Sequence, residues 1–573
     1  MSGFFFFQKR FQIRKVMIAV LAAVLSAALI AGCGRIPAKS DSKEKADGAV
    51  QSEKDGSENL SGGEAGEPQA GTEGPETPAE GDAGENAADL PAPGDRANGS
   101  PDADAPKAPA ESSVNVENDG EAAKAVVNEE SGEKTAETAV NAESGEEKAE
   151  EEAEAVCGDE RADQYLPLLE GKRVAVFSNQ TGIVGNKVLN TESNSEKKGS
   201  ADAAAVREEG LIPFGQNADG TPVEYGEHIL DALVRQGVDV TVAFSPEHGF
   251  RGTEDAGAQV DSYTDEKTGV PVVSLYGGGS MYPSDADLDR FDTLVIDIQD
   301  VGLRFYTYYI SMYYLMDACA EAGKEVVLLD RPNPNGFYVD GPILQDGFYS
   351  GVGLLPIPVV HGMTLGELAQ MINGEGWLSA GKDACSLTVV PCENYRHDTL
   401  TELVTRPSPN LKDMRAVYLY PSTCLFENTA CSVGRGTTHP FESFGSPWLQ
   451  GAEGYDFTFI PEDMEGAHSP AFEGQTCYGK DLREVPLAQI LQEHFNLDYV
   501  VDAFNVMKAQ NPDLYFFGNP DGDGNYWIDY LCGTDQVRSM IEEGRNAEEI
   551  SASWQEDVEN FRAQRKPYLL YEE

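Results

Sequence analysis

Between Gly34 and Val156 the chain contains no Trp, Tyr or Phe. Glu, Ala, Gly, Asp, Pro, Ser and Asn dominate that stretch. Such a composition cannot bury enough apolar area to offset chain entropy, which excludes a packed core there. Basic residues are also scarce: 42 Lys and Arg stand against 98 Asp and Glu, a formal net charge of -56. General binding to a phosphate backbone needs basic surface and is excluded. No C-x-x-C pair occurs, so neither a zinc knuckle nor a thioredoxin-type redox motif is expected. H-E-x-x-H is absent and His248, His361 and His439 stand isolated, so no metal is expected. Without a G-x-S-x-G elbow a serine hydrolase is disfavoured. The segment NQTGIVGN after the first apolar strand lacks G-x-G-x-x-G, Gly277-Gly278-Gly279 opens no helix, and no Walker pattern is present. No nucleotide cofactor is expected either.

The N-terminus reads as an export signal. Lys9, Arg10, Arg14 and Lys15 form a basic region before an apolar run, Val16 to Ile30. At about 15 residues that run is too short for a comfortable membrane span. It ends Leu29-Ile30-Ala31-Gly32-Cys33, which resembles a lipobox whose cysteine is lipidated after cleavage. Residues 1–32 are therefore expected to be a lipoprotein signal peptide, with Cys33 anchoring the mature chain to the outer face of the membrane. Residues 33–160 are expected to be a disordered acidic tether. As a random coil its ends would lie about 60 Å apart. Binding of cations or a basic partner by the acidic tract is the alternative. Of the other cysteines, Cys424 with Cys431 and Cys385 with Cys392 are possible disulfide pairs, and Cys319 suits a buried small hydrophobe.

From about Tyr165 onward short apolar runs alternate with helical spacing. Strands are expected at Arg173–Ser178, Val238–Phe244, Val272–Tyr276, Thr293–Ile298 and Glu325–Asp330, with helices over Glu227–Gln236 and Tyr309–Ala322. That alternation predicts an α/β fold, a doubly wound parallel sheet with helices on both faces, over residues 161–385. A polar insertion from Asn186 to Gly220 reads as a surface loop. Residues 386–573 are expected to form a smaller α/β domain that completes a cleft. It has helices at Pro486–Phe495 and Ser551–Arg562 and strands at Leu387–Pro391 and Ala416–Tyr420. Just before it, Thr364–Asn373 reads as a helix, with Thr364 and Glu367 suited to a capping box.

The chemistry concentrates where strands end. The run LVIDIQDVGLRFYTYY, from Leu294 to Tyr309, passes directly from apolar residues into Asp297, Gln299, Asp300, Arg304, Tyr306 and Tyr308. Charges are rarely buried without partners, so this strand is expected to open onto a polar cleft. A structural Asp–Arg pair with Tyr packed beside it is the alternative. After the second strand comes Ser245-Pro246-Glu247-His248-Gly249-Phe250-Arg251-Gly252. There Glu247 suits a general acid, because a partly desolvated carboxyl group is pushed toward the working range, whereas a Glu247–Arg251 salt bridge is the bland reading. Further along, Glu427, Arg435 and Glu442 stand among small and aromatic residues. Arg435, between two glycines, could present its fork to a carboxylate or simply pair with Glu442. Asn410 in a Ser-Pro-Asn turn could bind a sugar hydroxyl or its own backbone. Carboxylates, amides, Arg and aromatic faces together suit carbohydrate.

Motifs in a fixed order carry a resemblance. They are SNQTG (Ser178 to Gly182), SPEHGFRG (Ser245 to Gly252), DIQDVGLRFYTY (Asp297 to Tyr308), LDRPNP (Leu329 to Pro334), HGMT (His361 to Thr364), PSPN (Pro407 to Asn410), YPSTCLFENT (Tyr420 to Thr429) and GRGTTHPFE (Gly434 to Glu442). In these the chain resembles the bacterial exo-β-N-acetylmuramidases, a glycoside hydrolase family long described as a domain of unknown function. The likeness runs from about Gly171 to Leu570; the lipobox, the tether and the insertion depart from it. It implies a Rossmann-like first domain, a smaller second one, no metal or nucleotide, and release of N-acetylmuramic acid from the non-reducing end of peptidoglycan fragments. Glu247 is then the expected general acid and Glu427 the opposing carboxylate, with Asp297 or Asp300 as substitutes. Asn179, Gln180, His248, Arg251, Gln299, Arg304, Tyr306, Tyr308, Asn333, His361, Asn410, Arg435 and Thr437 are the expected substrate contacts, with Arg435 or Arg304 suited to the lactyl carboxylate of muramic acid. A non-catalytic peptidoglycan-binding lipoprotein and a hydrolase of another exported substrate are the competing classes.

Overall fold

Strand β1 (Arg173–Phe177) lies in the middle of a seven-stranded sheet, hydrogen-bonded in parallel to β2 (Asp239–Ser245) on one side and β5 (Thr293–Ile296) on the other. Beyond β2 come β4 (Pro271–Ser274) and a short antiparallel edge, β3 (Tyr263–Thr264). Beyond β5 come β6 (Glu325–Leu329) and β7 (Ser386–Val390), both parallel. The architecture is a computed structural model describing residues 154–187, 214–217, 221–246, 249–250, 262–275 and 281–573. The leader, Cys33 and the acidic tract through residue 153 lie outside these described residues, as do Glu247, His248 and Arg251. Among the described residues no helix is long and apolar enough to cross a membrane.

The inner strands read as unbroken apolar runs because both faces of the sheet are covered. Val174, Val176, Ala243, Val295, Val327 and Leu329 face a small core with Tyr165, Leu169, Ile229 and Leu233, from helices α1 (Ala162–Leu169) and α2 (Ile229–Arg235). Ala175, Phe177, Phe244, Leu294, Ile296 and Leu328 face the larger core. There lies α4 (Tyr308–Ala322; α3 is Asp285–Leu288), buried from Tyr308 through Cys319 and stopped by Gly323 at φ 65°. The same core continues through α5 (Leu365–Gly374), α6 (Met414–Thr423) and on to Phe561. The C-terminal region, with a three-stranded antiparallel sheet, β8 (Ser443–Ser446), β10 (Cys477–Asp481), β9 (Phe457–Phe459), thus shares the core of the large sheet.

Four elements or boundaries differ from the sequence reading. Residues 416–420, expected as a strand, lie inside α6, which Asp413 caps by accepting from the Ala416 amide at 3.0 Å. The strand at 386–390, expected to open the second domain, is the outermost parallel strand of the first sheet. The ordered chain also begins before residue 161: Val156 bridges to Glu393 and Asp159 is buried. The expected helix at Ser551–Arg562 is two helices, Ala547–Ala552 and Gln555–Arg565. Thr364 and Glu367 form the expected capping box at α5. The eight described cysteines are buried free thiols, so neither suggested pair is bridged.

Candidate functional site

Strand order reverses between β1 and β5, and ligands in such sheets bind beyond the carboxyl ends at that switch point. Chain direction brings Asn179 and Gln180 there from β1, Ser245 from β2, and Gln299 and Asp300 from β5. Asn179 makes a tight turn, its Oδ1 accepting from the amide and hydroxyl of Thr181 at 3.0 and 2.6 Å. Thr181 Oγ1 in turn accepts from the Gln299 amide at 3.0 Å, tying the β1 loop to the β5 loop.

What distinguishes this edge is a set of buried polar atoms left without partners among the described residues. They are Asn179 Nδ2, Gln180 Oε1, Ser245 Oγ, Gln299 Oε1 and Asp300 Oδ2. Buried polar atoms are normally hydrogen-bonded, and exceptions need an explanation such as a catalytic or ligand role. Asp300 Oδ1 accepts from the Gly302 amide at 2.7 Å, but among the described residues no cation faces the carboxyl group, and burial pushes it up to about 7. A cavity of about 10 Å³ lies beside Gln299, Asp300, Arg331 and Asn333, room for about one water and too small for a sugar ring.

The Pro407 carbonyl joins this edge to the C-terminal region. It accepts from Tyr306 OH at 2.5 Å and Tyr308 OH at 2.7 Å, and Gln180 Nε2 donates to the neighbouring Arg406 carbonyl at 3.1 Å. From Tyr306 a chain of edge-on rings runs to Tyr420 (6.3 Å) and from Tyr420 to Phe441 (4.8 Å). The Arg435 guanidinium lies 5.0 Å over Phe441 and donates from Nε (2.8 Å) and Nη2 (2.7 Å) to Oε1 of Glu427. Glu427 and Arg435 are both part-exposed, and the pairing is with Glu427, not Glu442. Asn410 is buried, its amide on the Gly466 carbonyl at 2.6 Å. Thr437 Oγ1 closes a turn onto Gly434 O at 2.6 Å.

Several expected contacts have structural partners instead. Arg304 is fully buried and donates to the carbonyls of Pro342, Ile357 and Leu531; it clamps three segments and does not face a ligand. Asp297 is also fully buried, held by Arg331 at 2.7 and 2.9 Å, which leaves no surface for attack on a substrate. Arg331 binds Asp159 as well, at 2.6 Å, completing a buried carboxylate–guanidinium–carboxylate triad. Asn333 bridges the Met363 carbonyl and the Asn335 amide. His361 is buried; its Nδ1 accepts from Met363 N, its Nε2 has no partner, and burial lowers it to about 3, so the ring is neutral. Glu247, His248 and Arg251 fall outside the described residues, flanked by the described Ser245 and Phe250.

Sequence reasoning passed over Ser245, Tyr420 and Phe441, although all three stand inside the quoted motifs. It also missed Arg331 and Asp159, whose pairing spans 172 positions. One group of described residues approaches metal-ligand spacing: Cys157, Asp159 and Glu160, with donor atoms within 4.8 Å. It does not suit a metal. Asp159 is bound to Arg331, Glu160 to Lys187, and burial raises the Cys157 thiol, keeping it protonated.

Comparisons with known proteins place the chain as a whole. The profile for the N-terminal part of the exo-β-N-acetylmuramidase NamZ matches residues 216–415, and that for its C-terminal part matches residues 418–571. The chain belongs to the NamZ family. The peptidoglycan β-N-acetylmuramidase NamZ of Bacillus subtilis (strain 168) is 38% identical over 359 residues, covering 58% of this chain and 80% of that one. A crystal structure of a DUF1343 family protein from Bacteroides fragilis superposes with TM-score 0.60 and 45% identity, covering 74% of this chain and all (100%) of that one. A second DUF1343 structure from the same organism gives TM-score 0.54 and 25% identity, over 73% of this chain and 99% of that one. The NamZ halves meet between 415 and 418, inside α6, where the two parts of the chain share one core.

Proposed function

We propose that this NamZ-family protein is an exo-acting glycoside hydrolase that releases N-acetylmuramic acid from the non-reducing end of peptidoglycan fragments. The observation that carries the proposal is the convergence of unpartnered amide, hydroxyl and carboxyl atoms at the switch point of the sheet, connected by an aromatic wall to the Glu427–Arg435 pair. A polyhydroxylated, N-acetylated sugar supplies both donors and acceptors to such atoms, which an apolar ligand cannot do.

In this reading Glu247, two residues after Ser245, donates the proton to the leaving oxygen. Glu427 is the opposing carboxylate, acting as nucleophile or as base toward water according to its distance from Glu247. Asp300, neutral below about 7, hydrogen-bonds the sugar through Oδ2. Arg435, already oriented by Glu427, shares its fork with the lactyl carboxylate of the substrate. Fragments would reach the enzyme outside the membrane, where a lipid on Cys33 holds it.

Assay on 4-nitrophenyl β-N-acetylmuramide tests the reading. Turnover by the wild type is expected, with Glu247→Gln lowering kcat by about a hundredfold or more. Full activity of that variant removes Glu247 from the mechanism. Tight binding of muramyl fragments with no turnover by the wild type leaves a binding module.

A further inference from the structure

His228 stands outside every motif tied to the site, yet its ring reaches the Asn179 turn. It is the N-cap of α2, where Nδ1 accepts from the Leu230 amide at 3.2 Å. Its Nε2 lies 2.7 Å from the Asn179 carbonyl. An amide hydrogen at one nitrogen and a carbonyl oxygen at the other admit one arrangement: a neutral ring, bare at Nδ1 and protonated at Nε2. The usual capping residues, Ser, Thr, Asp and Asn, accept as well but are too short to reach a second chain segment. A histidine at this cap serves both partners at once.

The ring is itself fixed. His228 is buried, Phe250 from the loop after β2 packs on it with centroids 5.1 Å apart, and its backbone bridges to Ile183. A Cβ on Gly182 would stand 2.2 Å from Ser178 Oγ and 3.2 Å from His228 Nε2, so the turn closes tightly against the imidazole.

What the imidazole holds is the setting of Asn179. The Asn179 carbonyl accepts from Gly182 N at 3.0 Å as well as from His228. Its side-chain Oδ1 is committed to the amide and hydroxyl of Thr181. That assigns Nδ2 as the donor left over, buried and without a partner among the described residues. Thr181 Oγ1 passes the arrangement on to the Gln299 amide at 3.0 Å, and Gln299 Oε1 is unpartnered likewise. One imidazole thus stands behind a donor and an acceptor of the candidate site. Groups oriented before a ligand arrives bind it more tightly, because their ordering is already complete.

We propose that His228 is a positioning residue whose Nε2–H fixes the Asn179 turn, so that the Asn179 amide donor and the Gln299 acceptor meet the N-acetylated sugar. The identity of that ligand rests on the muramidase reading; the mechanical role of His228 does not.

The two ring nitrogens are separable by substitution in the full-length protein. His228→Asn retains an acceptor near the place of Nδ1, whereas His228→Gln retains an amide donor near that of Nε2. His228→Asn is expected to melt with the wild type but to lower kcat/KM on 4-nitrophenyl β-N-acetylmuramide about tenfold. His228→Gln is expected to melt a few degrees lower, with kcat/KM within about threefold of wild type. The reverse pattern, losses that merely follow the melting temperatures, or no loss in His228→Asn overturns the positioning role. Amide hydrogen exchange gives a reading that needs no substrate. The Thr181 and Gln299 amides are expected to exchange about tenfold faster in His228→Asn than in wild type, and within about threefold of wild type in His228→Gln. Equal exchange in all three proteins overturns the proposal, whether or not the muramide is cleaved. Failure of the wild type on the muramide, with the expected exchange pattern, counts against the muramidase reading alone.

Discussion

Asp300 makes the clearest statement at the scale of single residues. Its carboxyl group is raised to about 7 by burial, against hydrogen bonds from the Gly302 and Val301 amides that lower it. An unfolded Asp titrates near 3.9, about three units lower. The folded state therefore keeps a proton that the unfolded state has lost between those values. Stability from this group is full below pH ~4 and is lost as pH rises through about 7. Asp300→Asn, which mimics the neutral form, is expected to unfold at higher temperature than wild type at pH 8 but not at pH 4. It is also expected to extend activity to higher pH; coincident alkaline limbs of the two pH–rate profiles would refute the role. The Arg331 triad makes the opposite case. Arg331→Met leaves Asp159 and Asp297 buried without their cation and is expected to cost about 3–5 kcal/mol in urea titration. The sequence displayed Asp297 as a charge at a strand end, and the reading that a cleft begins there rested on it. Its partner could not be seen: Arg331 arrives from the next strand and Asp159 from an acidic stretch that by composition looked like more tether.

Among the elements, α5 shows how local and distant contacts combine. Thr364 caps it by accepting from Glu367 N, and Thr364 Oγ1 also donates to Asp330 Oδ2 at 2.7 Å, at the end of β6. Thr364→Ala should cost about 1–3 kcal/mol, at or above an ordinary cap, because Asp330 loses a donor as well. Thermal unfolding checks the figure; a loss below about half a kcal/mol would mean that the Asp330 contact contributes nothing. The cap was legible because Thr-x-x-Glu is a local pattern. The parallel strands were legible too, since strands covered on both faces are short apolar runs that end at polar loops. The same rule misassigned 416–420. Ala416, Val417, Tyr418 and Leu419 are all buried, so no helical periodicity shows, and Ala-Val-Tyr-Leu-Tyr reads equally well as a strand. The wall from Tyr306 through Tyr420 to Arg435 was legible only as separate motifs, because pairing Tyr306 with Pro407 needs a contact across 101 positions.

For the molecule as a whole, the decisive fact is the shared core that runs from Ala175 to Phe561. One cooperative unfolding transition is expected for the folded part, with a single urea midpoint by fluorescence and far-UV dichroism; separate midpoints would give the two halves independent cores. The C-terminus takes part in that unit. Leu570 N donates to Glu367 Oε1 at 2.7 Å, and Tyr571 OH to Asp330 Oδ2 at 2.6 Å while accepting from Cys392 N at 2.9 Å. Removing residues 570–573 is expected to lower stability by about 2–4 kcal/mol, and Tyr571→Phe by about 1–2 kcal/mol. The Tyr571–Asp330 contact spans 241 positions and braces the loop that carries Arg331. It also dictates an order of events during synthesis. The chain leaves the ribosome from its N-terminus, so the sheet strands emerge long before their final brace. Until residues 570 and 571 are released, Asp330 lacks its phenol and Glu367 the Leu570 and Tyr571 amides. The polar edge of the sheet thus waits for residues 570 and 571, and a protein stopped before them would carry every strand of the sheet without that brace of the loop beside its site.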